Sequence, residues 1–307
     1  MPILPETVLS PEALRFIRYF PKGTVRILIR AIREAQEGDP RDLNIIRAGV
    51  LPTPPPDDID LKDHLIAGVP CRTYTSSTSS HAHVVCFHGG GWALGGLHTV
   101  EHFCIELVRA AEATVTSVDY RLAPENPFPA AVEDSYAVTC AILAEDENVP
   151  VYLCGDSAGG GLAAVVASGS AGQLPRPLRG TILFYPAVDL TDKVYPSTRD
   201  YAEGFLLSTD EMDIFRDCYL PQGTDPHNPR VSPLYADLST FPDTLVINAE
   251  CDILCDQGTE LVHHLQAANR PVRHLIYEGA LHTFLTAPRH PLTFARALAD
   301  TTAWLRE

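Results

Sequence analysis

An α/β fold with a mostly parallel, eight-stranded sheet flanked by helices is predicted from three observations. Short apolar runs alternate with helix-like runs along most of the 307 residues, the pattern of strand–helix–strand units. Several of those apolar runs are continuous rather than alternating, as strands buried on both faces are. Two of them, 84–87 and 151–154, exit directly into glycine-rich turns.

The elements follow in order. Leu14, Ile17, Val25, Leu28, Ile29 and Ile32 recur at roughly helical spacing within 11–32 and predict one or two amphipathic helices. Pro52, Thr53, Pro54, Pro55 and Pro56 mark a stiff linker. Two edge strands are expected at about 60–66 and 69–74, then a polar loop at 75–80 and a strand at 83–87. A helix at about 98–112, a strand at 114–119 and a helix at about 130–145 lead into the strand 151–154 and a small-residue helix from Gly160 to Ala167. After the strand 180–185 the pattern is interrupted at about 190–240. Within that insertion a helix at 209–220 is expected, capped by Ser208 or Thr209. The strand 244–249, a helix at 256–268, the strand 272–277 and a final helix at 290–306 complete the pattern. The chain thus divides into an N-terminal helical part (1–55), a first core part (56–189), an insertion (190–240) and a second core part (241–307).

Gly155, Asp156, Ser157, Ala158 and Gly159 read G-x-S-x-G between a strand and a helix. That is the setting of a nucleophile elbow, where a sharp turn exposes the serine hydroxyl and small flanking residues make room for it. The helix behind it aims free N–H groups at developing negative charge. His88, Gly89, Gly90, Gly91 and Trp92 follow the strand 83–87. A lone glycine triplet is most simply a turn. Upstream of a serine elbow it reads as an oxyanion loop, whose bare main-chain N–H groups stabilise a tetrahedral intermediate. It lacks the spacing of a dinucleotide fingerprint, since Leu94 stands where a third glycine would have to fit.

Downstream, Asp252 follows the strand 244–249 and His282 follows the strand 272–277. Ser157, Asp252, His282 is a nucleophile–acid–histidine order in which His282 takes the serine proton and Asp252 fixes its tautomer. Asp252 also suits a helix N-cap, and Glu250 is a competing acid. Asp252 is preferred because it lies just past the strand, and His282 stands out among twelve histidines by its place in a loop after the last strand.

These motifs resemble the hormone-sensitive lipase family (bacterial family IV) of carboxylesterases, built on the α/β-hydrolase fold. The segments Asp119 to Glu125, Pro127 to Ala130 and Pro229 to Leu234 also resemble family segments. The resemblance implies a serine carboxylesterase without cofactor or metal, acting on short- to medium-chain esters. It implies an oxyanion hole of Gly89, Gly90 and Ala158, and a helical cap made of the N-terminal helices and the insertion. Dimers are common in that family, which makes a homodimer possible, while the residues themselves leave the oligomeric state open. Ile253, Cys255 and Gln257 depart from the residues usual in the family beside the acid. Phe205, Leu206 and Leu207 in the insertion, and Trp92 beside the glycine loop, are candidates for the pocket wall or for ordinary packing.

Other classes fit less well. A net charge of −16 disfavours nucleic acid and anionic membrane surfaces as partners. No apolar run approaches the roughly 18 residues of a membrane span, and residues 1–13 lack a signal pattern. Eight cysteines without framework spacing read as free thiols in a reducing compartment, so a cytoplasmic location is expected. His98, Glu101 and His102 form H-x-x-E-H, an inverted zinc-protease pattern, in a segment where the resembling family has a helix. A non-catalytic receptor on the same fold would have lost triad members, and an amidase or peptidase would keep them.

Overall fold

The computed structural model describes residues 5–19, 24–48, 56–77, 80–285 and 290–307. Residues 52–55 of the proline linker, 78–79 of the polar loop and the side chain of Val25 lie outside the described residues.

The sheet runs β1 (Ile59–Ile66), β2 (Val69–Ser76), β3 (His83–Phe87), β4 (Thr114–Val118), β5 (Val151–Asp156), β6 (Gly180–Phe184), β7 (Asp243–Cys251) and β8 (Val272–Leu281) along the chain. In space the order is β1-β2-β4-β3-β5-β6-β7-β8. β2 is antiparallel to β1 and β4, and the remaining pairs are parallel. Every residue of β5 and β6 is buried, as strands covered on both faces require.

The helices among the described residues are α1 (Pro5–Val8), α2 (Pro11–Tyr19), α3 (Thr24–Gln36), α4 (Arg41–Arg47), α5 (Leu97–Ala111), α6 (Ala130–Glu145), α7 (Ala158–Ala167), α8 (Pro196–Asp200), α9 (Thr209–Tyr219), α10 (Cys255–Ala267) and α11 (Pro291–Leu305). Phe103 and Leu107 of α5 and Phe294 and Ala297 of α11 cover one face of the sheet. Leu143 of α6, Leu162 of α7 and Leu261 of α10 belong to the larger core on the other face. Ser208 caps α9 reciprocally with Glu211: its hydroxyl accepts the Glu211 N–H at 3.2 Å, and Glu211 accepts the Ser208 N–H at 2.9 Å.

Three strands reach further than their apolar runs predict. β5, β7 and β8 continue through Asp156, Cys251 and Leu281. Asp156 stays in register with Phe184, and Cys251 with Leu281 after a bulge. The polar residues that end the apolar signal do not end the hydrogen-bond ladder, so the sheet carries the functional loops to its rim. The helices expected within 11–32 are α2 and α3, the N-terminal segment adds α1 and α4, and α3 packs on α9 of the insertion.

Candidate active site

Ser157 sits at the tip of β5 with φ 54° and ψ −120°, a backbone conformation strained for any residue with a side chain. Main-chain bonds hold the turn there. The Ser157 N–H donates to the Phe184 carbonyl at 3.0 Å, and the Ser157 carbonyl accepts from Ala187 at 3.0 Å and Gly161 at 3.1 Å. A Cβ on Gly155 would collide with the Gly159 carbonyl, and one on Gly159 with the Phe87 carbonyl. The tight turn from β5 into α7 therefore needs glycine at 155, and the close approach of α7 to β3 needs it at 159.

β7 and β8 deliver the other two side chains. His282 Nδ1 lies 2.6 Å from Asp252 Oδ2, and His282 Nε2 lies 2.9 Å from Ser157 Oγ. Asp252 Oδ1 accepts the Leu254 N–H at 3.0 Å, and the Tyr185 ring leans on His282 with centroids 4.6 Å apart. All three members of the chain are buried. With Nδ1–H donating to Asp252, Nε2 is the acceptor for the serine proton, the arrangement general-base activation needs. Glu250, the competing acid, points elsewhere and accepts the Gly279 N–H at 2.7 Å. Ile253, Cys255 and Gln257 leave the acid loop well held. Ser197 donates to the Ile253 carbonyl at 3.0 Å, and Gln257 accepts the Val188 and Asp189 N–H groups at 2.7 and 2.9 Å.

The glycine loop requires a correction. The Gly89 N–H donates to Asp156 Oδ1 at 2.7 Å, so it is not free to receive an oxyanion. Among the described residues, the N–H groups of Gly90, Gly91 and Ala158 have no hydrogen-bond acceptor. The loop is fixed on both sides. His88 Nδ1 bonds the Gly89 carbonyl at 2.8 Å, its ring stacks on Tyr120 at 4.3 Å, and the Tyr120 hydroxyl donates to the His88 carbonyl at 2.7 Å. Burial lowers the His88 imidazole to about 4, so it stays neutral and structural at ordinary pH. Gly91, at φ 58°, lies against the Phe215 ring of α9, with no room for a Cβ.

Two wall candidates turn out to be packing residues. Phe205 is 1% exposed and joins Leu9, Ala13, Cys251 and Leu281 in a small separate core, edge-on to Tyr201. Trp92 is 2% exposed and stacks on Tyr219 at 4.6 Å, joining the glycine loop to α9. Leu206 and Leu207 are half-buried, and Leu207 packs on the main core. A cavity of about 230 Å³ flanks the acid loop, between Ile253, Leu254, Asp189, Met212 and Arg216. None of the four wall candidates lines it.

The zinc-protease pattern dissolves into structural roles. Glu101 accepts from Arg72 at 2.6 Å and His102 stacks on Phe294 at 4.9 Å. Among the described residues no three metal-ligating side chains come together, and no helix is long and apolar enough to cross a membrane.

The strand order, with a serine elbow at the tip of β5 and a histidine loop after β8, defines an α/β-hydrolase. The chain belongs to the α/β-hydrolase fold family, whose model matches residues 84–286. This bears out the resemblance to the hormone-sensitive lipase group. The chain is 40% identical over 246 residues to the carboxylic ester hydrolase LipN of Mycobacterium tuberculosis, covering 74% of this chain and 65% of that protein. It is 30% identical over 308 residues to an arylesterase of Saccharolobus solfataricus, covering 92% of this chain and 94% of the relative. Among solved structures, an esterase of Pyrobaculum calidifontis superposes with a TM-score of 0.80 at 30% identity, over 97% of this chain and 98% of the other. The matches span 65% of LipN and 60% of the carboxylesterase NlhH of the same species.

Proposed function

We propose that the protein is a serine carboxylesterase acting on short- to medium-chain esters. The observation that carries the reading is the hydrogen-bonded chain from Asp252 through His282 to Ser157, at 2.6 and 2.9 Å. The relatives named as ester hydrolases support the bond class. Ser157 Oγ attacks the ester carbonyl as His282 Nε2 accepts its proton, and the carbonyl oxygen becomes an oxyanion. The N–H groups of Gly90, Gly91 and Ala158 receive that charge, Gly91 replacing Gly89 in the role first expected of it. The C–O bond to the alcohol breaks as His282 returns the proton to the leaving oxygen. Water, deprotonated by the same nitrogen, then hydrolyses the acyl-enzyme and restores Ser157. Asp252 stabilises the imidazolium in both halves. The N-terminal helices and the insertion form the cap, and the cap sets the length of acyl chain admitted.

The test is hydrolysis of a p-nitrophenyl acyl series by the wild type and by Ser157→Ala, with chelator present. Chelator-insensitive turnover by the wild type, greatest on short to medium chains and lost in Ser157→Ala, is expected. Turnover that survives in the variant removes Ser157 from the mechanism.

A further inference from the structure

The N-terminal segment does more than cover the site. Glu12 of α2 is buried, and its carboxylate reaches the first turn of α11. It accepts the Leu292 N–H at 2.9 Å, the Thr293 N–H at 2.9 Å and the Thr293 hydroxyl. These are the donors that a helix leaves unsatisfied at its start, and His290, in the cap position, makes no side-chain cap bond. An N-terminal carboxylate therefore caps the C-terminal helix across 280 residues of sequence. Phe16, one helical turn further along α2, packs edge-on against the His290 ring at 4.9 Å.

The same segment grips the chain on the other side of His282. The Ser10 N–H donates to the Gly279 carbonyl at 2.9 Å. Gly279, at φ 63°, has the Ser10 nitrogen and the Val8 carbonyl so near that a Cβ would lie 2.5 and 2.9 Å from them. Leu9 and Ala13 pack on Cys251 and Leu281, the residues immediately before Asp252 and His282. The residues leading into Asp252 and His282 are thus held by Ser10, Leu9 and Ala13, and Glu12 ties the same helix to the start of α11.

We propose that Glu12 is a positioning residue for His282. By tying α2 to the start of α11 it keeps Leu9, Ala13 and Ser10 seated against Cys251, Leu281 and Gly279, and so holds the imidazole in line between Asp252 and Ser157. Alignment of this kind matters because small displacements of reacting groups cost rate steeply, even when they originate far from the chemistry. The proposal rests on the esterase reading for its kinetic consequence, but not for its geometric one.

The experiment compares the wild type with Glu12→Gln, which keeps the size of the side chain but leaves one acceptor oxygen for three donors. With p-nitrophenyl acetate, kcat is expected to fall on the order of tenfold, while KM stays within about twofold. The low-field proton resonance of the His282–Asp252 hydrogen bond is expected to broaden or shift in the variant. A folded Glu12→Gln enzyme with wild-type kcat and an unchanged resonance overturns the proposal. If Glu12→Gln does not fold, Thr293→Val removes one of the three donors with little change of shape. A severalfold loss of kcat at constant KM then supports the proposal, and an unchanged kcat overturns it. A wild type inert toward esters defeats the esterase reading instead, and the resonance comparison still decides the role of Glu12.

Discussion

Asp156 and Gly89 tie the two glycine motifs together: the Asp156 carboxylate accepts the Gly89 N–H at 2.7 Å across 67 residues of sequence. Packing enforces the pairing, since a Cβ on Gly89 would lie 2.5 Å from the second carboxylate oxygen. That oxygen also accepts from the Tyr185 hydroxyl at 3.4 Å, and Tyr185 leans on His282. The residue before the serine therefore sets the position of the loop that faces it.

Replacing Asp156 by Ala leaves the Gly89 N–H buried and unpaired, a cost of about 1–3 kcal/mol, and frees the loop to move. We predict that kcat on a short p-nitrophenyl ester falls on the order of ten- to a hundredfold, with a smaller change in KM. Wild-type kcat in a folded Asp156→Ala enzyme would show that the loop needs no such anchor.

Burial raises the Asp156 carboxyl from 3.8 to about 7, against the opposing pull of the Gly89 N–H, His282 and Tyr185. A carboxyl with a raised folded-state pKa binds its proton more tightly in the native state. Its contribution to stability is full at pH values below 3.8 and is lost as pH rises through about 7. Asp156→Asn is neutral throughout, so its stability relative to the wild type should rise from about pH 4 to about pH 7 and level off above it, when urea midpoints are compared at each pH. A difference that stays flat or runs the other way would contradict the assignment.

Ser157 stores strain at φ 54°, ψ −120°. Glycine adopts such a conformation without the steric cost, and conformations of this kind cost about 1–3 kcal/mol in other residues. Ser157→Gly should therefore unfold at higher urea than Ser157→Ala, with both inactive. Equal midpoints would mean that the elbow is relaxed.

Most of the sheet was legible in the chain because its strands are unbroken apolar runs, and the order of Ser157, Asp252 and His282 followed from where those runs end. What the sequence hid depends on contacts between distant segments. Asp156 lies inside the serine motif, yet nothing local says that its side chain takes the Gly89 N–H, so the donor pair implied by the family resemblance, Gly89 and Gly90, sits one residue ahead of the free N–H groups of the loop. Glu12 has no local signal at all, because its partners lie at Leu292 and Thr293. Phe205 looked like a pocket wall because an apolar triplet in an insertion has the same composition whether it faces a ligand or a small core.

Phe205→Ala follows from that correction. Emptying a site that is 1% exposed should cost about 3–5 kcal/mol, visible as a lower unfolding midpoint. Any loss of activity should be shared by all acyl lengths, since Phe205 touches the neighbours of Asp252 and His282 rather than substrate. A selective change in chain-length preference would return it to the pocket wall.

The central claim, that Ser157 is the nucleophile of an ester hydrolase, is tested most directly by covalent labelling. The protein would be incubated with a p-nitrophenyl phosphonate, digested, and analysed by mass spectrometry alongside an ester-hydrolysis assay. The account predicts a single adduct on Ser157, with activity lost in proportion to labelling and no adduct in Ser157→Ala. An adduct on another residue, or ester hydrolysis undiminished when Ser157 is fully labelled, would contradict it.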